Sequence, residues 1–149
     1  MTASLPTADN PREIGSHRVY FVSPPVLVTI YHGDVSPEEI TQLIDTARLA
    51  GVSIVATVAD LGALGSFGAD ARKAMLDARP SDLLEGTDAD VGVFVVNADV
   101  VRRAVMTLVT TAIRLLSKRR VRVRYVETIA EAEAQAQAYA EAIAAGERP

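Results

Sequence analysis

Residues 91–126, VGVFVVNADVVRRAVMTLVTTAIRLLSKRRVRVRYV, decide the fold because they form one strand–helix–strand pattern. Val91–Val96 is a short apolar run, which is typical of a strand buried on both faces. The segment from Val100 to Lys118 repeats apolar residues at helical spacing, and Val121–Val126 alternates like a strand with one exposed face. A helix between two strands predicts a parallel pair joined by a right-handed crossover.

The helix of this unit has one predominantly apolar stripe, which we expect to face the sheet. The stripe consists of positions 100, 101, 104, 105, 108, 109, 112, 113 and 116. Met106 and Leu115 lie off the stripe beside three threonines and form a second face that is weakly polar. We interpret this second face as a candidate ligand-contact or homodimer surface, with packing against a neighbouring helix as the alternative.

The rest of the chain extends the same alternation of strands and helices. Further strands are predicted at Arg18–Val22, Val26–Tyr31 and Ser53–Ala59, the first two antiparallel around Ser23-Pro24-Pro25. Further helices are predicted from Ser36-Pro37-Glu38-Glu39 to Gly51, from Ala69 to Ala78, and after Thr128. The order β-β-α-β-α-β-α-β-α predicts an α/β fold with four helices and a mostly parallel five-stranded sheet carrying an antiparallel edge strand. We expect residues 1–15 to be a frayed tail and residues 16–146 to be one domain.

Composition restricts the class of protein. The absence of cysteine excludes disulfides, thiolate metal sites and a cysteine nucleophile. The N-terminal segment has neither the basic nor the apolar part of a secretory signal, and no apolar run approaches the roughly 20 residues of a spanning helix. We therefore expect a cytoplasmic protein, for which attachment at the inner membrane surface is possible.

Positive charge is concentrated in residues 100–126, although the chain has a formal net charge of −4. This segment holds eight of the 15 Lys and Arg residues and no acidic residue, which predicts an anionic partner. The helix dipole accounts for cations at the end of the helix but not for those at its start or on the strand. Nucleic acid is disfavoured because aromatic residues are not interleaved with the basic ones. The candidate binding residues are Arg102, Arg103, Met106, Lys118, Arg119, Arg120, Arg122 and Arg124.

The glycines Gly62, Gly65 and Gly68 follow a predicted strand and precede a predicted helix. Their spacing differs from the Gly-x-Gly-x-x-Gly of dinucleotide sites, so a tight turn is the favoured interpretation. Ser66 within this turn is expected to cap the helix, with a phosphate or partner contact as the alternative. The two histidines, His17 and His32, lack the spacing of a metal site, and no metal or cofactor is expected.

Three segments resemble the STAS fold, and most closely the bacterial SpoIIAA-like or STAS/SEC14 group. They are GDVSPEEITQLIDTA (33–47), the glycine turn leading into ADARKAM (69–75), and VRVRYVETIAEAEAQA (121–136). The resemblance implies a non-enzymatic module that acts through protein partners, in some members switched by phosphorylation of a serine at the start of the second helix. The SEC14-like branch implies apolar ligands or association with a membrane.

The resemblance places a phospho-site or partner contact at Ser66, Phe67 and Gly68. The STAS domains that are switched by phosphorylation have an Asp before the serine and a hydroxyl residue after it. This chain has Gly65 and Phe67 at those two positions. We expect a binding module for anionic lipid or an apolar ligand that uses the third helix and the basic 118–124 corner. The alternative is a partner-switching regulator that uses Ser66.

Overall fold

The protein, seen in a computed structural model, is described over residues 5–77, 90–117 and 121–147, with side chains omitted at 76, 109 and 112–117. Its strands are β1 (Arg12–Ile14), β2 (His17–Ser23), β3 (Val26–Gly33), β4 (Ala56–Leu64), β5 (Val91–Val96) and β6 (Val121–Val126). Its helices are α1 (Pro37–Arg48), α2 (Ala69–Asp77), α3 (Val100–Ser117) and α4 (Ile129–Ala144). The predicted α/β class is confirmed, and the described sheet has six strands rather than five.

The strands lie in the sheet in the order in which they occur in the chain. β1, β2 and β3 pair antiparallel, and β3 to β6 pair parallel. Every parallel crossover therefore steps in the same direction, and right-handed crossovers then put their helices on one side of the sheet. One core packs α1, α2 and α3 against this side, and a second core packs α4 against the other.

β1 and β4 differ most from the sequence-based prediction, and β4 spans Ala56–Leu64 where Ser53–Ala59 was expected. Residues 12–14, expected in a frayed tail, form β1 on β2; the run is too short and too polar to be recognised as a strand. β4 continues to Leu64, because its pairing with β3 extends through Ala63 opposite His32 and Leu64 opposite Gly33. Gly62 is thus part of a strand, and only residues 65–68, which we name the Ser66 loop, connect β4 to α2.

Capping side chains explain where three of the four described helices begin. Ser36 and Glu39 form the predicted capping box of α1, and Thr128 accepts a hydrogen bond from the N–H of Glu131 at the start of α4. Asp99 caps α3 by accepting from the N–H of Arg102 at 2.9 Å. The prediction for Ser66 is wrong, because α2 begins at Ala69 and its first helical hydrogen bond is accepted by Gly68.

Candidate functional site

The orientation of α3 differs from the one expected from its apolar stripe. Val100, Val101 and Leu108 are 84%, 72% and 56% exposed, so most of the first half of the stripe points to solvent, and Val105 alone of its described side chains turns toward the core. Ala104 is exposed between them, and we call these four residues the outward face of α3. A helix that leaves this much apolar surface uncovered on the described chain indicates a site of interaction.

Arg102 explains why α3 is turned in this way. One guanidinium nitrogen donates to the Leu64 carbonyl at the end of β4, and another donates to Asp99, each at 2.7 Å. The bond to Leu64 fixes the side of the helix that carries Arg102 toward the sheet, and Val105 and Met106 follow on the same side. Arg102 is therefore a structural residue that joins α3 to β4, a role that charge patterning alone did not reveal.

An apolar cavity of about 160 Å³, named here the α3 cavity, lies between α3, α2 and the sheet. Its described lining consists of Tyr31, Thr57, Ala59, Leu61, Leu64, Phe67, Met75, Val93, Val105, Met106 and Thr110. Thr110 donates its hydroxyl proton to the Met106 carbonyl at 2.8 Å. The Tyr31 hydroxyl makes no hydrogen bond with any described residue, and burial raises the pKa of Tyr31 to about 12. Met106, expected on the weakly polar second face of α3, lines this cavity.

The described members of the predicted basic set do not lie on one face of the sheet. Arg103, at the start of α3, lies 4.1 Å from the centre of the Tyr125 ring and donates to the Ala98 carbonyl at 3.2 Å. Arg122 and Arg124 lie on the other side of the sheet, on the face that α4 covers. Lys118, Arg119 and Arg120 lie outside the described residues. The described cations are thus divided between both faces of the sheet.

The Ser66 loop is bound closely to the segment that follows β3. The N–H of Gly65 donates to Gly33 at 2.8 Å, the N–H of Ser66 donates to the Asp34 carboxylate at 2.8 Å, and the N–H of Val35 donates to Ser66 at 3.0 Å. Hydrogen bonds from the Ser66 N–H and hydroxyl hold the pKa of the Asp34 carboxyl below its usual value.

The contact with Asp34 is a feature that sequence reasoning missed. The chain lacks an aspartate directly before Ser66, yet the structure places Asp34 beside it from another segment. The sequence feature that could have predicted this contact is the position of Asp34 directly after β3. Because β3 and β4 are parallel neighbours, their carboxyl ends lie side by side, and Asp34 therefore comes close to the loop that follows β4. Ser66 is exposed, whereas Phe67 is buried in the core and lines the α3 cavity. Gly68 is exposed with open space beside it.

His17 has a structural role. It is fully buried, its Nδ1 accepts from the His32 N–H at 2.9 Å, and its Nε2 lies 3.3 Å from Glu39. An Nδ1 that accepts a hydrogen bond carries no proton, so Nε2 carries it and donates to Glu39. Over the described ranges, no three His, Asp or Glu side chains are grouped so as to hold a metal ion.

Comparison with family models, with curated proteins and with solved structures gives no match to this chain. In the parts of the chain that the structure describes, no helix has the length and apolar character needed to cross a bilayer.

Proposed function

We propose that this protein is a non-enzymatic, STAS-like binding module that attaches to an anionic membrane surface through α3. We further propose that it holds an apolar, lipid-like ligand in the α3 cavity. The observation that carries the proposal is the outward face of α3, which is apolar and exposed in a segment without any acidic residue. The resemblance to the SEC14-like branch of STAS domains supports the same function.

An anionic bilayer fits the outward face of α3 better than a second copy of the chain does. Val100, Val101 and Leu108 offer an apolar stripe that can enter the boundary between headgroups and acyl chains. The helix α3 itself carries three arginines and no acidic residue, so two copies packed through α3 would bring like charges together. Basic residues near an anionic surface instead contribute roughly 1 kcal/mol each. In the sequence, the three cations Lys118, Arg119 and Arg120 directly follow the last residue of α3.

The α3 cavity supports an apolar ligand of limited size. An apolar cavity of about 150 Å³ accommodates one benzene-sized molecule, and the α3 cavity has about 160 Å³. The end of an acyl chain has the same chemistry and a similar cross-section. Because the cavity lies directly beneath α3, the helix that meets the bilayer in this proposal also covers the ligand.

Sedimentation with vesicles tests the membrane proposal. We expect the protein to sediment with vesicles that contain phosphatidylserine, less with phosphatidylcholine alone, and less in high salt. Leu108→Asp should weaken the association at least about tenfold, because an apolar contact is lost and a repelled charge is added. Val52→Asp is the matched control, since Val52 is 53% exposed but far from α3 in the sequence. Equal losses for both variants, or binding that ignores lipid charge, would contradict the proposal.

Methionine methyl signals test the ligand proposal. Met75 and Met106 both line the α3 cavity, so we expect benzene and 1-dodecanol to shift their methyl resonances while the Met1 resonance stays in place. Ala59→Leu partly fills the cavity and should abolish these shifts while the circular dichroism spectrum is retained. Unshifted Met75 and Met106 signals at saturating probe would exclude the cavity as a ligand site.

The second candidate function is partner switching through Ser66, and the exposed position of Ser66 beside Asp34 favours it. A phosphate on Ser66 would add about −2 charges next to the Asp34 carboxylate and would separate the two segments. Binding of a candidate anti-sigma-type kinase should therefore differ between Ser66→Asp and Ser66→Ala. The alanine variant keeps both backbone hydrogen bonds of residue 66 and serves as the control for folding. Equal affinity of wild type and both variants would remove this function.

A further inference from the structure

We propose a second binding site, for an organic anion with an apolar body, in the groove between β6 and α4. This groove, named the β6–α4 groove, has a volume of about 620 Å³ and is lined by Gly92, Phe94, Arg122, Val123, Arg124, Gln135, Ala138 and Tyr139. It lies on the face of the sheet opposite α3, so it is separate from both parts of the proposed function. Arg122 and Arg124 would bind the carboxylate or phosphate of the ligand.

The register of the two outer strands creates the groove. Arg122 lies opposite Gly92, and Arg124 lies opposite Phe94. Gly92 has no side chain to fill the space between β6 and α4, and the facing position on α4 is the small residue Ala138. A Cβ at position 92 would lie 3.0 Å from the Phe94 ring and 3.2 Å from the Tyr139 ring, so a larger residue there would displace both rings. The volume lies within the usual range of about 300–1,000 Å³ for small-molecule sites.

Among the residues that the structure describes, the lining of the groove has two arginines and no acidic residue. Arg122 forms an ion pair with Asp90, with 3.4 Å between Nε and Oδ2. Arg124 has only neutral partners among the described residues, the Gln135 amide oxygen at 3.4 Å and the Phe94 ring at 5.9 Å. The two arginines stand two residues apart on the same side of β6, roughly 7 Å along the strand. An anion placed between them would supply a negative charge beside Arg124 and accept forked hydrogen bonds from both arginines.

The remaining lining favours an apolar body on the anion. The Phe94 and Tyr139 rings meet edge to face with their centres 6.1 Å apart, and together with Ala138 they give the groove an apolar floor. The Tyr139 hydroxyl donates to the Asp90 carbonyl, which holds the ring in place. A bare inorganic anion would use only the two arginines, whereas an aryl or alkyl carboxylate would also cover this floor. The lining therefore selects amphiphilic organic anions over simple ions.

Amide NMR with the full chain tests the proposal, with 2-naphthoate as the probe, 2-naphthylmethanol as its neutral counterpart and inorganic phosphate as the bare anion. We expect naphthoate to shift the Gly92 and Ala138 amide signals and to bind about tenfold more tightly than the alcohol or phosphate. Arg124→Gln should weaken naphthoate binding about tenfold. Arg18→Gln, which changes an exposed arginine on β2, should leave it unchanged.

Three results would overturn this site. They are equal binding of the acid and the alcohol, equal effects of the Arg124→Gln and Arg18→Gln variants, and naphthoate shifts confined to the Met75 and Met106 methyls. The last result would place the probe in the α3 cavity and would leave the proposed function intact. The converse result is a naphthoate shift of the Gly92 amide signal in the Ala59→Leu variant, whose α3 cavity is filled. That result would support binding in the β6–α4 groove even if the protein fails to bind vesicles.

Discussion

Replacement of Gly65 by alanine should destabilise the protein because the Ser66 loop approaches the end of β3 too closely to admit a side chain. A Cβ at position 65 would lie 2.8 Å from the Gly33 carbonyl carbon and 2.9 Å from the Asp34 nitrogen, and it would overlap the Asp34 carboxylate. Two of these three atoms belong to the backbone, so no side-chain rotation relieves the clash. The two segments must therefore separate.

The size of the effect follows from the bonds that this separation breaks. Three hydrogen bonds join the segments, donated by Gly65, Ser66 and Val35. At about 0.5–1.5 kcal/mol for each bond, their loss or weakening should lower the free energy of unfolding by about 2–3 kcal/mol. With a urea dependence of about 2 kcal/mol per molar, the midpoint of unfolding should fall by about 1 M.

Urea unfolding followed by circular dichroism measures this change, and Gly68→Ala is the control. A Cβ at Gly68 meets no atom within 4 Å, and the backbone there is not left-handed. Alanine is a poorer helix cap than glycine but reduces the entropy of the unfolded chain, so the two effects oppose each other and the net change should stay below about 1 kcal/mol. If Gly65→Ala were as stable as Gly68→Ala, the close contact between the two segments would not exist in solution.

Three further predictions concern buried or half-buried polar groups. Burial raises the pKa of the Glu39 carboxyl, but hydrogen bonds from Ser36 and His17 outweigh it and hold that pKa below its usual value. Stability should therefore be greatest above pH about 4.3 and fall as pH drops through the lowered pKa, a dependence that Glu39→Gln should flatten in urea titrations at several pH values. Tyr31→Phe should leave the melting temperature unchanged or slightly higher, because the hydroxyl has no described partner; a loss above about 1 kcal/mol would reveal a hidden bond. Arg102→Ala should cost about 2 kcal/mol in urea unfolding, since the Leu64 carbonyl and Asp99 lose a charged donor; an unchanged midpoint would show that another residue holds α3 in place.

The class of fold was predictable because it depends on local patterns. Val91–Val96 and Val121–Val126 have the bounds that the sequence predicted, and the helix starts at Ser36 and Thr128 were identified from residue type and spacing. β1 was missed because three residues are too few for periodicity to be visible. The extension of β4 was missed because its pairing with β3 overrides the turn preference of Gly62.

The candidate site was less predictable because it depends on how elements are turned toward each other. Periodicity gave α3 a stripe but did not reveal that Val100, Val101 and Leu108 of this stripe would face outward, since the bond between Arg102 and Leu64 joins residues 38 positions apart. Alternation on β6 correctly put Arg122 and Arg124 on one face. It did not reveal that α4 rather than α3 covers that face.

Because the strands lie in the sheet in chain order, the two faces of the sheet are covered by different kinds of segment. The side with α1, α2 and α3 is assembled from three connections, each fixed at both ends by a strand. The other side is covered by one helix, α4 (Ile129–Ala144), which follows β6 and does not connect two strands of the described sheet. Replacement of α4 by the corresponding segment of a homologous chain would change the residues on this face and leave the three strand–helix–strand connections on the other face unaltered. The binding properties of the two faces can therefore evolve independently.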